Sequence, residues 1–372
     1  MRREIKMSGY DAFVCLADRC PFTCCQQWKI SVDPDTKARW LREGRAAALC
    51  RKDGADVIRL DGGMQCPYLN EEKLCRLVLS QGEDAIPETC RVFPRQVHRF
   101  ADRTEYALVT CCPEVVDGLA EAAFVREPEE VSAGSGTAGR NGCEVVRDWM
   151  IERMQEGRYS AEKTGKVLFY VLLALRDQPE ERLAEGLRDC LASEAELAEA
   201  IDGVPVSEAD SFAEINELFL DVTENYRREG LYRAQLEPLM ELAESWEKAG
   251  ADAALLREWS GEFRRELEPW EDRFRKVLAC EFFADLLLPE TGIREMLLMT
   301  QWIFMEYALL RHGLFLMRQR KGDPLAWDEI RDWIVVLARM TGYDLADIEE
   351  YLENSFDSPV WEWGYLALLL PE

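Results

Sequence analysis

Ten of the 13 cysteines in this 372-residue chain fall between Cys15 and Cys112, and the first four crowd into Cys15-x4-Cys20-x3-Cys24-Cys25. Thiolates are soft donors that select zinc, copper(I) or iron–sulfur clusters. A few drawn from distant positions can staple a loop-rich module that has little apolar core. Residues 1–118 are therefore expected to form a small cysteine-rich metal-binding module, held by its metal rather than by packing.

The compartment supports metal over disulfides. The start of the chain, Met1-Arg2-Arg3-Glu4-Ile5-Lys6, is basic but leads into no apolar stretch of signal-peptide length. The most apolar later run, Met296 to Leu310, is interrupted by Thr300, Gln301 and Glu306 and is too short to span a membrane. A cytoplasmic protein without a membrane partner is expected, and reducing compartments disfavour structural disulfides. Charge is uneven. Residues 1–118 hold 18 basic and 18 acidic side chains, which leaves 27 against 53 for the remainder and a net −26 overall. That acidic excess argues against nucleic acid as a partner and favours a cationic one, although solvated helix faces account for most of it.

Val131 to Gly142 is small, polar and glycine-rich, so residues 119–142 read as a linker or long loop. From Cys143 the apolar residues recur at helical spacing, as in Val145, Val146, Trp149, Met150 and Met154, and residues 143–372 are expected to form an acidic, all-helical domain of some eight or nine helices. Asp323-Pro324 offers a helix start, and Gly342 a stop. The tail around Pro359 to Trp363 is expected to dock on the bundle. The fold class is thus mainly α, with short helices in the first part at Asp35–Cys50 and Leu74–Leu79 and short strands near Trp28–Val32 and Tyr106–Thr110.

Beyond the first cluster come Cys66-Pro67-Tyr68-Leu69, Leu74-Cys75-Arg76-Leu77, Thr89-Cys90-Arg91-Val92-Phe93-Pro94-Arg95 and Thr110-Cys111-Cys112-Pro113-Glu114. This order, with Trp28-Lys29-Ile30 after the vicinal pair and Gly82-Glu83 before the third block, resembles the flagellin lysine N-methylase family. Part of it is also similar to putative zinc- or iron-chelating cysteine-cluster proteins. The resemblance covers about residues 10–118 by motif. It implies metal ligands among Cys15, Cys20, Cys24, Cys25, Cys66, Cys75, Cys90 and Cys112, and a [4Fe–4S] cluster, whereas spacing alone allows zinc equally. Eight thiols exceed the needs of one four-ligand site. Cys143, Cys190 and Cys280, on predicted helices, read as small buried hydrophobes.

The resemblance further implies S-adenosylmethionine as methyl donor and a lysine-bearing protein, such as flagellin, as acceptor. Displacement at the sulfonium methyl needs a neutral amine, so a site must lower the lysine pKa or take its proton. Glu83, Glu88, Glu114 and Tyr68 lie near the cysteines, but none is distinguishable as catalytic. No strand leads into a Gly-x-Gly loop, so the donor must bind elsewhere, for example on a cluster iron left open by the protein. The radical-enzyme spacing Cys-x3-Cys-x2-Cys fails at Gln27. If Arg91 to Arg99 is helical, Arg91, Arg95 and Arg99 line one face, and Arg95 is the candidate cofactor contact. A metal-binding or electron-transfer module without enzymatic activity is the alternative reading.

Overall fold

The computed structural model describes residues 3–52, 54–126, 140–249 and 253–372. Residues 127–139, which hold most of the expected linker, lie outside them. The first part contains β1 (Arg3–Lys6), α1 (Pro34–Arg42), β2 (Leu49–Lys52), β3 (Ala55–Ile58), α2 (Arg76–Gln81), α3 (Glu88–Val92), β4 (Arg95–Arg99), β5 (Arg103–Leu108) and α4 (Pro113–Glu121). The second runs α5 (Gly142–Glu156), α6 (Ala161–Leu175), α7 (Glu180–Leu191), α8 (Glu194–Asp202) and α9 (Glu208–Glu229). It continues through α10 (Arg233–Ala249), α11 (Ala253–Leu267), α12 (Glu271–Ala284), α13 (Ile293–Lys321), α14 (Trp327–Thr341), α15 (Leu345–Ser355) and α16 (Trp363–Leu369). The chain is mainly helical, and its described second part is helical throughout.

Local chemistry sets the helix starts. The Asn141 side chain accepts from the backbone of Cys143 at 2.8 Å to open α5, and Ser160, Ser207 and Asp344 cap α6, α9 and α15 in the same way. The central α13 is apolar on almost every side and is buried along most of its 29 residues, as a helix enclosed by neighbours must be. Helix α14 closes against it so tightly that a Cβ on Gly313 would lie 2.3 Å from the Trp333 ring. The start of α14 falls at Trp327 rather than at Asp323-Pro324, because Glu329 reaches back to the Ala326 backbone N–H at 2.8 Å. The tail docks as expected: Trp361 is buried, and Gln301 brackets it by accepting from the Trp361 N–H and donating to the Pro359 carbonyl.

Packing groups the first part differently from a division near residue 118. Strands β1, β5 and β4 form one sheet in that order, with β1 parallel and β4 antiparallel to β5. Ile5, Met7, Ala107, Leu108, Val115, Val116 and Leu119 share one core with the helices. A buried ion network ties sheet to bundle: Glu105 accepts two hydrogen bonds from Arg147 of α5 (2.5 and 2.7 Å), and Arg103 pairs with Glu105 at 2.5 Å and Glu144 at 3.4 Å. Arg3 reaches Glu144 at 2.7 Å.

The remaining segment, with the β2–β3 hairpin, builds a small core of its own from Ile30, Val32, Trp40, Leu49, Ile58, Leu77 and Ala85. The expectation of a module without a core is therefore corrected. Short apolar residues spread through turns reach one another because Trp40 sits among them and donates its indole N–H to the Ala85 carbonyl at 3.1 Å. The strand expected at Trp28–Val32 is reduced to isolated bridges from Gln26 to Gln65 and Ser31 to Val57.

Candidate metal centre and the acid-lined cavity beside it

The cysteines sort into two neighbourhoods. Cys25, Cys66, Cys75 and Cys90 pack together around the small core. The Cys66 N–H donates to the Cys25 carbonyl at 2.8 Å, and Leu69, three residues after Cys66, bridges to Cys75. Desolvation pushes the Cys66 thiol up to about 12 and Cys90 further still, and the Cys25, Cys66 and Cys75 thiolates add repulsion at Cys90. Cys24 joins this group through its neighbour: its thiol hydrogen-bonds Cys25, which lowers the Cys25 pKa and raises its own. Cys15, Cys20 and Cys112 form the other neighbourhood, where burial first, and then Cys20 and Cys15, raise Cys112 to about 11. All 13 cysteines are free thiols.

Among the described residues no three His, Cys, Asp or Glu side chains already meet in metal-holding geometry. The chemistry of the first group nonetheless suits a thiophilic metal. Cys66 and Cys90 are desolvated and further disfavoured as thiolates by neighbouring thiols of the group, a penalty that a bound cation would reverse.

Arg339 of α14 joins this unit to the bundle, and sequence reading missed it. Its guanidinium donates to the carbonyls of Cys111, Thr23 and Phe22, each at 3.0 Å, and lies over the rings of Phe22 and Trp28. It thereby fixes the turn that carries Cys24 and Cys25. Trp28 returns to the same turn by donating to the Cys24 carbonyl at 2.6 Å.

The expected arginine face does not form. The chain is helical only to Val92 and is extended from Arg95 to Arg99, so the i, i+4, i+8 alignment is lost. Arg95 donates to the Phe13 carbonyl at 3.1 Å and lies over Tyr10 and Phe13, where it braces the loop before Cys15. Arg103 is buried in the ion network. His98 meets the Ala284 carbonyl at 2.8 Å, and His312 meets Asn216 at 3.0 Å. Cys143 and Cys280 are buried among apolar groups as expected, and Cys280 donates to the Leu108 carbonyl at 3.3 Å.

Behind Cys111, between α12, α13 and α14, lies a small cavity with apolar walls that include Leu278, Leu310 and Leu337, and with two carboxyl groups, Glu281 and Glu306. Asp285 stands one turn from Glu281. Burial raises Glu281 to about 8 and Asp285 to about 6, and raises Glu306 strongly, with repulsion from Glu281 adding to it. Thr110 donates to Glu281 at 3.3 Å. Other deep carboxylates of the fold have arginine partners, Glu105 with Arg147 and Glu162 with Arg311 among them. No such ion pair is found for these three among the described residues. A signal was present in the sequence: Glu281 and Asp285 are one turn apart among Ala279, Cys280, Phe282 and Phe283, and Glu306 interrupts the apolar Met296–Leu310 run.

A thiol-rich unit is thus latched by Arg339 to a helical bundle that holds an acid-lined cavity between α12, α13 and α14. Residues 147–369, more than half of the chain, match the model of the FliB lysine N-methylase C-terminal domain, and the chain belongs to that family. It is 32% identical over 119 residues to a lysine-N-methylase of Salmonella choleraesuis (strain SC-B67), covering 29% of this chain and 30% of that protein. A lysine-N-methylase of Salmonella typhimurium is 33% identical over the same length and shares. It is 29% identical over 134 residues to the flagellar biosynthetic protein FliU of Salmonella muenchen, covering 33% of this chain and 76% of the relative. The matches thus span less than a third of the length of the two lysine-N-methylases. No solved structure matches the chain. No helix among the described residues is long and apolar enough to cross a membrane.

Proposed function

We propose that this chain is an S-adenosylmethionine-dependent protein lysine N-methyltransferase acting on flagellin or a similar lysine-bearing protein. The observation that carries the reading is family membership over residues 147–369, the greater part of the helical bundle. Cys25, Cys66, Cys75 and Cys90 would hold a metal centre, a [4Fe–4S] cluster by resemblance, with zinc as the alternative. When bound, such a centre would offset the charge of its thiolate ligands and cross-link the small core. Arg339 holds the ligand turn against the bundle, and Glu281 and Glu306 supply the acceptor side. An ammonium suits carboxyl groups that lack a cation. A carboxyl group raised to about 8 is matched to taking the proton that the ε-amine must lose before it attacks.

Protein purified without oxygen, analysed for iron, sulfide and zinc, and incubated with flagellin and methyl-labelled S-adenosylmethionine is expected to place label on lysine. Metal without any transfer would favour the alternative, a zinc or iron–sulfur module with a helical interaction domain, for which the same four thiols are the supporting observation.

A further inference from the structure

A separate cavity opens among α6, α9, α11, α13 and the end of α16. Its walls divide by chemistry. One side is aromatic: Phe212 and Phe263 each meet Phe315 edge to face, with ring centres 5.8 and 5.6 Å apart, and His312 tilts against Phe212 at 5.1 Å. The other side is charged. Glu208 pairs with Arg264 at 3.1 Å through one oxygen, and Arg311 stands 3.4 Å from Glu162. The second oxygen of Glu208, Oε2, is buried and has no hydrogen-bond partner. A buried acceptor left unmatched carries a desolvation cost that a ligand donor would offset.

We propose that this cavity binds the adenosyl group of the methyl donor, an inference that rests on the methylase reading above. The flat base would sit against Phe212, Phe263 and Phe315, a ribose hydroxyl would donate to Glu208 Oε2, and the amino-acid carboxylate would face Arg264 or Arg311. Other ligand classes fit less well. A purely apolar molecule leaves Glu208 unsatisfied, a polyphosphate meets two carboxylates, and a free amino acid fills little of the aromatic half. A nucleoside with a zwitterionic tail satisfies both halves. The donor would then be held by the helical bundle and not by the thiols. Tyr307 belongs to the walls of both this cavity and the acid-lined one.

Titration calorimetry of the full chain with S-adenosylhomocysteine tests the assignment. The unaltered protein is expected to bind, and Glu208→Gln and Phe315→Ala are each expected to weaken binding about tenfold or more. Glu208→Gln is nearly isosteric, so with its melting temperature unchanged it separates a lost ligand contact from a lost fold. If the unaltered protein binds and both variants bind equally well, the cavity assignment is overturned and the methylase reading stands. If the metal-loaded protein binds no S-adenosylhomocysteine at all, the methylase reading falls and takes the assignment with it.

Discussion

Arg339 shows how one side chain can set the geometry of a distant ligand turn. Its planar fork matches three carbonyls at once, and a lysine can replace only part of that pattern. Arg339→Met leaves those carbonyls without donors and is expected to cost about 3 kcal/mol in urea unfolding. Labelling of Cys24 and Cys25 by a thiol reagent should become faster, and Arg339→Lys should recover only part of either change. The buried acids give a second test. Glu281 and Asp285 hold protons in the fold that the unfolded chain releases near pH 4–4.5. Their contribution to stability is full below that pH and is lost as pH rises through about 6 and about 8. Unfolding free energy should therefore fall between pH 5 and 8, by up to about 1.4 kcal/mol per pH unit for each group. Glu281→Gln should flatten the slope; an unchanged slope would refute this account.

At the scale of elements, the helical character of the second part was legible because apolar periodicity over ten or more residues is hard to imitate by chance, but its twelve helices among the described residues exceed the eight or nine expected. Of the short strands only β5, which overlaps the strand expected near Tyr106–Thr110, was legible. Arg3–Lys6 and Arg95–Arg99 carry more charges than apolar groups, and their pairing is set by partners far along the chain. Arg339 was hidden for a related reason: an arginine on an amphipathic helix reads as surface, and carbonyl partners leave no mark in sequence. The cysteine order was plain in the sequence, while the sorting of the thiols into two neighbourhoods required the fold. The close approach of α13 and α14 predicts that Gly313→Ala pushes the helices apart and costs about 1–3 kcal/mol, read as a lower melting temperature. Gly364→Ala in α16, where an added Cβ meets nothing within 4 Å, should instead be neutral or stabilising by about 0.5 kcal/mol.

For the whole molecule, two cores of unequal size imply two stabilities. The bundle and the β1–β5–β4 sheet share the large core, while the segment around Cys25 to Cys90 has a small one that a metal would reinforce. Removing metal with a chelator under reducing conditions is expected to expose sites between Cys25 and Cys90 to protease first and to leave the helical far-UV signal largely intact. Simultaneous loss of both would show that the two cores unfold as one.

The strand pairing carries one more consequence. The chain starts in the shared sheet at β1, departs into the cysteine-bearing segment, and comes back to the same sheet at β4. Where it departs and where it comes back, Trp28 and Phe93 touch ring to ring at 5.1 Å. The thiol unit is therefore a cassette spliced into one gap of a finished scaffold. A unit inserted in this way can order after the rest of the protein has formed, so the proposed metal centre would be a late addition to the fold and not a condition for making it.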